Sequence, residues 1–598
     1  MRSKKRLCQL VLAGIAMIAA YGEGGVLAEA ADAGMHVDQV GYLTDRSKVA
    51  MVTDTGDTEF SIVDTKSNKV VFTGDLTAAK KDAMSEETLR RADFSELKTP
   101  GTYKLKVGNR ESYDFEIGDN VYAVPAVQTW RSYTLSRSGN PFNDKAVTGL
   151  EIKKGHLQDK KAKVYFSDKF NKKGDMVDVS GGWYDAGDYG KYTTTGALAA
   201  AELMLAYEAH PDHFTKGQLL FPDGVKAEAK LPDVLNEVKY ELNFLKKLQR
   251  KDGSTFHKVA GMQWPGFDKS PDTDTQDRYI FSTCTSSAAM YGASLAIGAR
   301  VYKELDGGYA KKLMNDAQKV WQYLENTPNP IYRVDEGQES GSGPYNKNTD
   351  LEERLWFAAE MLRTTGDKKY EAFLLKNSDR MGNEPGFFTW DNTLALAQFA
   401  FLKTDGVNQN LRAAVKKAFI GYADKIINKI SADGFNCSLA KNEYTWASTK
   451  NALTQGDMLL MAYQIEPRQE YIDGALAQIH YMFGRNSLDK SFLTGAGDNP
   501  PEHPHNRIHE STGAYVPGLL VGGPNAVIGG DPDQTKYLES GHIPIAKSYL
   551  DVLMSWSTNE YAIDYTGTAA YALAWFAKPA NLTTENIKLK RVFPSITK

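Results

Sequence analysis

The chain has 598 residues, of which 42% are apolar and 24% charged, a composition typical of a folded globular protein and not of a disordered one. Its 71 basic and 75 acidic residues give a net charge of −4, which argues against a nucleic-acid partner and suits a neutral substrate. The length is sufficient for a large core and more than one domain.

Residues 1–30 have the pattern of a secretory signal peptide. A basic opening precedes the apolar run "LCQLVLAGIAMIAA", and the small residues Ala28 and Ala30 mark a cleavage site. That run is too short for a membrane span, and no later segment offers about 18 uninterrupted apolar residues. We therefore expect a secreted, extracellular protein, cleaved near Ala30, that is monomeric and not attached to a membrane.

The three cysteines do not predict a metal site. Cys8 lies within the predicted signal peptide, and Cys284 and Cys437 remain in the mature chain. One disulfide and two buried thiols are both compatible with the sequence, and no cysteine spacing is typical of zinc binding.

Residues 35–118 have the alternating pattern of β-strands. The segments "EFSIVD" and "KVVFTG" are joined by the turn "TKSN", and "YKLKV" and "YDFEI" flank the turn "GNRE". These two hairpins predict a small antiparallel β-sandwich of about 85 residues.

From about residue 125 to residue 578 the apolar residues recur with a helical period. Val234, Val238 and Leu242 share one helix face, and the same spacing recurs in eleven to thirteen segments, several of them rich in alanine. The connections between these segments are long and carry glycine, proline, aspartate and aromatic residues. A ring of paired helices, with its functional loops gathered on one face, is the architecture we expect.

The first candidate site is the stretch "DVSGGWYDAGDYGKY", residues 178–192. Its glycines permit tight turns, and rings such as Trp183 suit the flat faces of sugars. Asp185 and Asp188 project from one turn, where two carboxylates are able to hold and deprotonate a water molecule. Taken alone, such a pair is more typical of a calcium loop or a helix cap than of a catalytic site.

The second candidate site is the loop "HPHNRIHES", residues 503–511. Its His505 and Arg507 offer donors for a hydroxyl-rich or anionic ligand. Alone, such a pair is more often a solvated surface feature.

The third candidate site is "YLDVLMSWSTNEYAIDYTG", residues 549–567. Asp551 and Glu560 lie near several rings, including Tyr565. A carboxyl group among rings is poorly solvated, which raises its pKa and suits it to act as a general acid. The alternative is a helix start, with Asn559 as the cap and Glu560 in the first turn. One carboxylate pair for water and one protonated acid are together what glycoside hydrolysis requires.

At these motifs the sequence resembles glycoside hydrolase family 9. The first and third stretches match the two active-site signatures of that family, and "LPDVLNEVKYELNFL", "MFGRNSLDKSFLTG" and "GLLVGGPN" follow in the same order. The resemblance implies a multidomain chain: an all-β immunoglobulin-like sandwich (35–118), an all-α (α/α)6-barrel catalytic domain (125–578) and a C-terminal tail (579–598). It also implies inverting hydrolysis of β-1,4 bonds.

The resemblance also implies individual roles. Asp188 matches the general base, Asp185 the aspartate that helps to hold the water, and Glu560 the general acid. His505 and Arg507 match sugar-binding residues, and Asp551 matches a supporting aspartate that we count with the catalytic residues. Trp183 and Tyr565 are the rings that we expect to bind substrate.

Two departures from the family pattern bear on specificity. Asn506 stands where the family has a second histidine, and Thr566 and Gly567 replace Asn followed by Ala or Ser. We expect no required cofactor. The zinc site of the family is not visible, and a structural calcium ion is possible, with ambiguous candidate ligands at Glu352, Glu353 and the loop "PDTDTQD".

The predicted function is a secreted inverting endo-β-1,4-glucanase that acts on cellulose or a related β-glucan as polysaccharide or oligosaccharide. Inversion predicts that the acid and base carboxyls lie roughly 6.5–9.5 Å apart. The alternatives are an exo-acting cellodextrinase, an exo-β-glucosaminidase acting on chitosan-type oligomers, and a non-catalytic carbohydrate-binding protein.

Overall fold

The computed structural model of the protein describes residues 34–332, 340–345 and 347–597, so the predicted signal peptide lies outside the described residues. Within that part, strands come first and helices follow, as the hydrophobic pattern predicts. None of the helices in the described part is both long and apolar enough to cross a membrane.

The N-terminal region contains two β-sheets. One has the strand order β1-β3-β7-β6, and the other has the order β2-β10-β8-β4-β5 with β9 paired to β8. The strands are β1 Met35–His36, β2 Gly41–Leu43, β3 Val49–Thr53, β4 Glu59–Asp64, β5 Lys69–Asp75, β6 Lys80–Lys81, β7 Thr88–Asp93, β8 Gly101–Val107, β9 Arg110–Glu111 and β10 Phe115–Gly118. Both predicted strand pairs are present, with β4 antiparallel to β5 and Phe115 opposite Tyr103 in the β8–β10 pair.

Buried polar contacts join this sandwich to the helical region. His36 Nδ1 lies 2.7 Å from a carboxylate oxygen of Asp489. Asp38 accepts a hydrogen bond from the Tyr122 hydroxyl at 3.0 Å and lies 2.8 Å from His480 Nδ1. Because all of these groups except the half-buried Asp489 are buried, they require a fixed geometry between the two regions.

The helical region is a barrel of two concentric rings. The helices are α1 Ala123–Leu135, α2 Thr193–Ala209, α3 Asp233–Leu248, α4 Thr285–Val301, α5 Gly307–Glu325, α6 Leu351–Thr365, α7 Lys368–Lys376, α8 Ser378–Met381, α9 Leu394–Leu402, α10 Gln409–Ala432, α11 Ser448–Ile465, α12 Gln469–Met482, α13 Arg507–Thr512, α14 Pro532–Glu539, α15 Trp556–Asn559 and α16 Ile563–Phe576. The inner ring runs α2, α4, α6, α9, α11, α16 and closes back on α2, and each inner helix packs against one of α3, α5, α7, α10, α12 and α1. The predicted (α/α)6 barrel is confirmed.

The inner and outer rings of helices differ in sequence composition. Inner helices such as α2 and α4 are rich in small residues and are buried along most of their length on every side. Outer helices such as α3 and α5 bury one face and expose the other. A helix that is apolar all round belongs in a core, whereas an amphipathic helix covers it.

Short strands lie in the loops on one face of the barrel, where the helical pattern did not predict them. They are β11 Phe142–Asp144, β12 Leu150–Ile152, β13 Ala162–Val164, β14 Met176–Val177, β15 Lys191–Tyr192, β16 Lys258–Ala260 and β17 Tyr279–Ile280. The last five form one sheet in the order β14-β13-β17-β16-β15. Strands of two or three residues are too short to show a period of two, which is why the sequence does not reveal them.

Cys284 and Cys437 are both free and buried in the structure. Burial raises the pKa of the Cys437 thiol, so this side chain stays neutral near pH 7. Of the two alternatives that the sequence allows, the structure thus has the buried thiols.

Candidate active site

A cleft of about 980 Å³ opens at the N-terminal ends of inner helices α2, α11 and α16. It brings Asp185 and Asp188 together with His505, Arg507 and Glu560, which lie more than 300 residues later in the sequence. Its aromatic walls are formed by Tyr192, Trp264, Phe267, Tyr345, Phe387, Trp390, Trp446, Trp556, Tyr561 and Tyr565. Carboxyl groups, two basic side chains and many rings in one cavity match the chemistry expected of a sugar site.

The turn that carries the two aspartates depends on Gly187. A Cβ atom at this position would lie 2.0 Å from the carbonyl oxygen of His505 and 2.9 Å from Oε1 of Glu560. The Asp185 backbone N–H donates to the carbonyl of Gly190 at 2.9 Å, which closes the turn. Glycine between the aspartates therefore lets the loop press directly against the segments that carry the other site residues.

The two aspartates have different surroundings. Asp185 accepts hydrogen bonds from the hydroxyls of Thr195 and Tyr345, one on each carboxylate oxygen. Asp188 accepts the backbone N–H of Gly190 at 3.1 Å. Burial raises the pKa of both carboxyls, and the positive charge of Arg507 opposes that rise at Asp188. Asp185 is thus held from two sides, while Asp188 has fewer protein donors and is the freer base.

Glu560 lies in the extended link between α15 and α16. The backbone N–H of Gly187 donates to its Oε1 at 3.1 Å. Burial raises the pKa of Glu560 well above its usual value, and the negative charge of Asp188 raises it further. Asn559 does not cap a helix, since its side-chain amide donates to the carbonyl of His503 at 2.7 Å. The alternative of a capped helix start is wrong, and the surroundings of Glu560 favour its protonated form.

His505 and Arg507 frame the acid. His505 Nδ1 lies 2.7 Å from the carbonyl oxygen of Leu553, and because a carbonyl only accepts, Nδ1 carries the proton. Its Nε2 lies 3.9 Å from Oε1 of Glu560. Burial, together with the charge of Arg507, lowers the pKa of His505 to about 4. The imidazole is therefore neutral near pH 7, and its Nε2 is an acceptor nitrogen in the cleft.

Two family profiles match the chain. The profile of glycosyl hydrolase family 9 matches residues 122–573, and that of the cellulase N-terminal ig-like domain matches residues 30–112. The chain belongs to glycosyl hydrolase family 9. The immunoglobulin-like region and the barrel that the sequence predicts are both confirmed.

Several characterised proteins share this organisation. The chain is 31% identical to a cellodextrinase of Butyrivibrio fibrisolvens over 557 residues, covering 90% of this chain and 98% of that protein. It is 29% identical to endoglucanase D of Acetivibrio thermocellus, over 91% of this chain and 83% of the relative. The crystal structure of the family 9 endoglucanase J30 superimposes with a TM-score of 0.88 at 42% identity, covering 90% of this chain and all of J30.

Asp551 does not line the cleft of this family 9 protein. Its carboxylate accepts hydrogen bonds from Lys490 Nζ at 2.6 Å, from the backbone N–H of His503 at 2.9 Å and from the Asn559 amide at 3.0 Å. Although burial alone would raise its pKa, Lys490 lowers it. We therefore correct its role from catalytic to positioning, since it ties the loop of His505 to the segment of Glu560.

Trp183 is not a substrate-binding residue. Its ring is 1% exposed and packs on Tyr133 with centroids 4.6 Å apart, and its Nε1 donates to Glu237 at 2.7 Å. Its backbone N–H donates to Glu241 at 2.8 Å. The indole therefore anchors the catalytic turn to α3. Tyr565, the other ring named from the sequence, does line the cleft.

The two departures from the family pattern are structural. Asn506 is the N-cap of α13, where its side-chain oxygen accepts the backbone N–H groups of Ile508 and His509. Thr566 and Gly567 lie on α16 and are absent from the cleft wall. Asn506 and Thr566 adjoin cleft residues in the chain but do not line the cleft themselves, so their bearing on specificity stays a prediction.

Sequence reasoning missed several cleft residues. Tyr345 and Thr195 hold Asp185, and Trp264 and Trp446 are 55% and 42% exposed although tryptophan is usually buried. The rings in "MQWPGF" and "EYTWAS", each in a loop between helices, were the available signal. Nothing local marks Thr195, because it reaches Asp185 only through the packing of the α2 N-terminus.

Two of the acids considered for calcium, Glu352 and Glu353, do not fit that ion. Glu353 binds the ammonium of Lys347, and Glu352 binds the guanidinium of Arg380. A divalent cation at either carboxylate would be repelled by the cation already there. These residues are ion pairs within the barrel.

Among the described residues, His210, Asp212 and His213 have the spacing for a shared metal ion, with one ligand atom from each within 4.8 Å of the others. This group follows the C-terminus of α2, whereas the cleft lies at its N-terminus. A helix of 17 residues spans about 25 Å, so the group takes no part in the chemistry of the cleft.

Proposed function

We propose that this family 9 protein is an inverting endo-β-1,4-glucanase that hydrolyses cellulose or a related β-glucan. The observation that carries the proposal is the pairing in one cleft of Glu560, whose pKa is raised, with the Asp185–Asp188 turn. A protonated acid and a carboxylate pair within one aromatic cavity are the groups that glycosidic hydrolysis uses.

In the proposed reaction Glu560 donates its proton to the glycosidic oxygen as the bond to the anomeric carbon breaks. A water molecule held by Asp185 and Asp188 attacks the opposite face of the sugar, and Asp188 accepts its proton. The product has the inverted anomeric configuration. His505 and Arg507 offer one acceptor nitrogen and one guanidinium to the sugar hydroxyls beside the acid.

The walls of the cleft support a glucan substrate. Rings offer flat apolar faces to the axial hydrogens of glucosyl units, and Trp264 and Trp446 extend this surface to exposed positions. The comparisons support the same substrate class, since relatives along most of the chain are named endoglucanases. The N-terminal pattern of residues 1–30 places the enzyme outside the cell in this proposal.

An exo-acting cellodextrinase is the second candidate, and the observation that favours it is the named activity of the Butyrivibrio relative. The glucosaminidase alternative depended on Asn506 and Thr566, neither of which lines the cleft. A non-catalytic binding protein would have no need to retain a buried, protonated Glu560 beside two aspartates.

Product analysis tests the proposal. The full mature chain is incubated with carboxymethyl-cellulose, cellohexaose and chitosan oligomers, and the anomer first formed is followed by NMR. We expect rapid loss of viscosity on the polymer, mixed cello-oligosaccharides and an initial α-anomer. Release of single terminal units without viscosity loss would establish the exo candidate, and an initial β-anomer would overturn inversion.

Variants assign the roles. Glu560→Gln and Asp188→Asn are each expected to lower kcat by roughly 10²–10⁴-fold, the range for loss of a general acid or base. Asp178→Asn is the matched control, because Asp178 lies in the same stretch but is exposed and bonded to Ser180. Parental activity in Glu560→Gln would show that the acid has been misassigned.

A further inference from the structure

Three carboxyl groups lie on three inner helices, one at the floor of the cleft and two beneath it. They are Glu202 on α2, Asp457 on α11 and Asp564 on α16, and each is at most 1% exposed. The oxygens of Glu202 and Asp457 have no hydrogen-bond partner in the described part of the chain, and Asp564 has only the N–H groups of its own turn nearby. Buried carboxyls without partners are costly, and in native proteins they call for an explanation.

The barrel makes room for this acidic cluster. A Cβ atom on Gly567 would lie 1.9 Å from Oε2 of Glu202. Glycine in a helix interior costs about 1 kcal/mol relative to alanine. The space that Glu202 occupies is therefore maintained at a cost in stability.

Asp564 connects the cluster to the catalytic residues. It lines the cleft together with Asp185 and Lys450. The backbone N–H of Ile563, the preceding residue, donates to the carbonyl of Asp185 at 2.8 Å, which fixes the start of α16 against the catalytic turn. Asp564 thus lies at the point where the cluster meets the reacting groups.

The charged and titratable groups that act electrostatically with Asp564 come from every side. They are Asp185, Tyr345 and Tyr565 at the cleft, Lys450 on α11, Asp391 in the loop before α9, Glu202 on α2 and Tyr133 on α1. Burial raises the pKa of Asp564 to about 6, although Lys450 opposes the rise. After burial, the charge of Asp564 is the largest influence that raises the pKa of Asp185.

We propose that Asp564 is a positioning residue for the reaction, whose carboxyl group, fixed at the cleft floor above the buried acidic cluster, controls the charge of Asp185. Asp564 does not touch the water or the sugar in this role. It acts through Asp185, which with Asp188 holds the attacking water. The inference rests on the proposed glycosidase function.

The test is the pH dependence of kcat/KM on a soluble β-glucan. The acid limb reports the ionisation of the carboxylate pair in the free enzyme. Asp564→Asn keeps the shape and removes the charge, so Asp185 ionises more readily and the limb is expected to move to lower pH by about one unit. Asp564→Glu keeps the charge and is expected to retain the parental limb even if kcat falls.

Glu202→Gln is the matched control, because it changes an equally buried and unpartnered carboxyl that lies away from Asp185; its limb is expected to stay in place. Should the Asn variant not fold, Asp564→Ala removes the same charge. The inference would be overturned if the acid limb of the pH profile lay at the same pH in the parent and in Asp564→Asn. It would also be overturned if Asp564→Asn and Asp564→Glu shifted that limb equally. An inactive parent would instead overturn the proposed function.

Discussion

Buried charges lie on two sides of the cleft, and they are arranged in opposite ways. Behind Asp188, Asp159 binds Lys191 at 2.7 Å and Arg278 at 2.9 Å, and all three side chains are almost fully buried. Beneath the floor, Glu202 and Asp457 are just as buried but have no partner. One region satisfies every charge, and the other leaves carboxyls to stay protonated.

The paired region holds the catalytic turn in place. Lys191 also donates to the carbonyls of Val179 and Gly181, and Arg278 donates to the carbonyl of Tyr189 at 2.6 Å. These bonds clamp the backbone on both sides of the two aspartates. The unpaired region has no such contacts, and in the proposal above only Asp564, next to it at the cleft floor, acts on the site through its charge. Rigid geometry and charge control are thus supplied by separate groups.

The contributions of the two regions to folding stability change in opposite directions as the pH rises. Burial alone would raise the pKa of Asp159, but Lys191 and Arg278 hold it well below its usual value, so its contribution to stability is present above about pH 4 and is lost as the pH falls through the folded-state pKa. Burial raises the pKa values of Glu202 and Asp457. For these groups the unfolded chain ionises first, so stability falls as the pH rises from about 4.5.

The largest effect is expected from breaking the paired region. Lys191→Met removes one cation from Asp159 and leaves an incompletely compensated buried charge, which costs about 3–5 kcal/mol of unfolding free energy. Urea denaturation at pH 7 measures the loss. Lys247→Met is the control, because Lys247 binds the same loop through the carbonyl of Ser180 but is about one-third exposed. Its cost is expected to stay below about 1 kcal/mol, and equal losses would show that burial of the pair is not what matters.

A smaller effect is expected from filling the space in the unpaired region. Gly567→Ala forces a methyl group against Glu202 and is expected to cost about 1–3 kcal/mol. Adding Glu202→Ala should recover part of that cost, because it removes the obstructing carboxyl. Gly421→Ala on α10, which faces open space, is expected to be neutral or mildly stabilising in the same denaturation experiment. A double variant no more stable than Gly567→Ala alone would contradict this account.

The smallest effect, counted per pH unit, is a change in how steeply stability falls with rising pH. In the parent, burial of Glu202 makes the melting temperature fall between pH 5 and pH 8, since the folded state holds a proton that the unfolded state has lost. The glutamine of Glu202→Gln cannot ionise, so the unfolding free energy of this variant should fall less steeply with pH than that of the parent. The difference is about 1.4 kcal/mol for each unit by which burial raises the pKa of Glu202. Calorimetry at both pH values measures it. Exposed Glu539→Gln should keep the parental slope, and a Glu202 variant that does the same would show that this carboxyl is not held protonated.

Much of the fold could be predicted because its signals are local. Alternation in "YKLKV" and "YDFEI" predicted a strand pair that the structure contains, and the helical period predicted helices such as the alanine-rich α2. The strands β13 to β17 could not be predicted in this way. Their pairing depends on loops brought together from up to 116 residues apart, as in the Lys163–Tyr279 and Val164–Ile280 pairs.

The residues of the candidate site likewise divide into those that the sequence predicted and those that it did not. Asp185, Asp188 and Glu560 were found because motifs and ring-rich surroundings mark them, and the structure places all three in one cleft. Trp183 was misassigned, because a ring beside a catalytic aspartate is equally compatible with a core anchor. Trp446 was missed, because exposure is a property of the folded surface and has no local signature.

The sequence by itself determined the class of the main helices and strands and singled out the carboxyls proposed to react, since periodicity and residue chemistry are properties of neighbours along the chain. Tertiary structure alone decided which carboxyls are paired, which stay protonated and which rings meet a sugar. The physical reason is that desolvation and Coulomb interactions depend on distances in space. Glu202 and Gly567 are 365 positions apart in the sequence, yet the carboxyl group of Glu202 occupies the space that a side chain at position 567 would need.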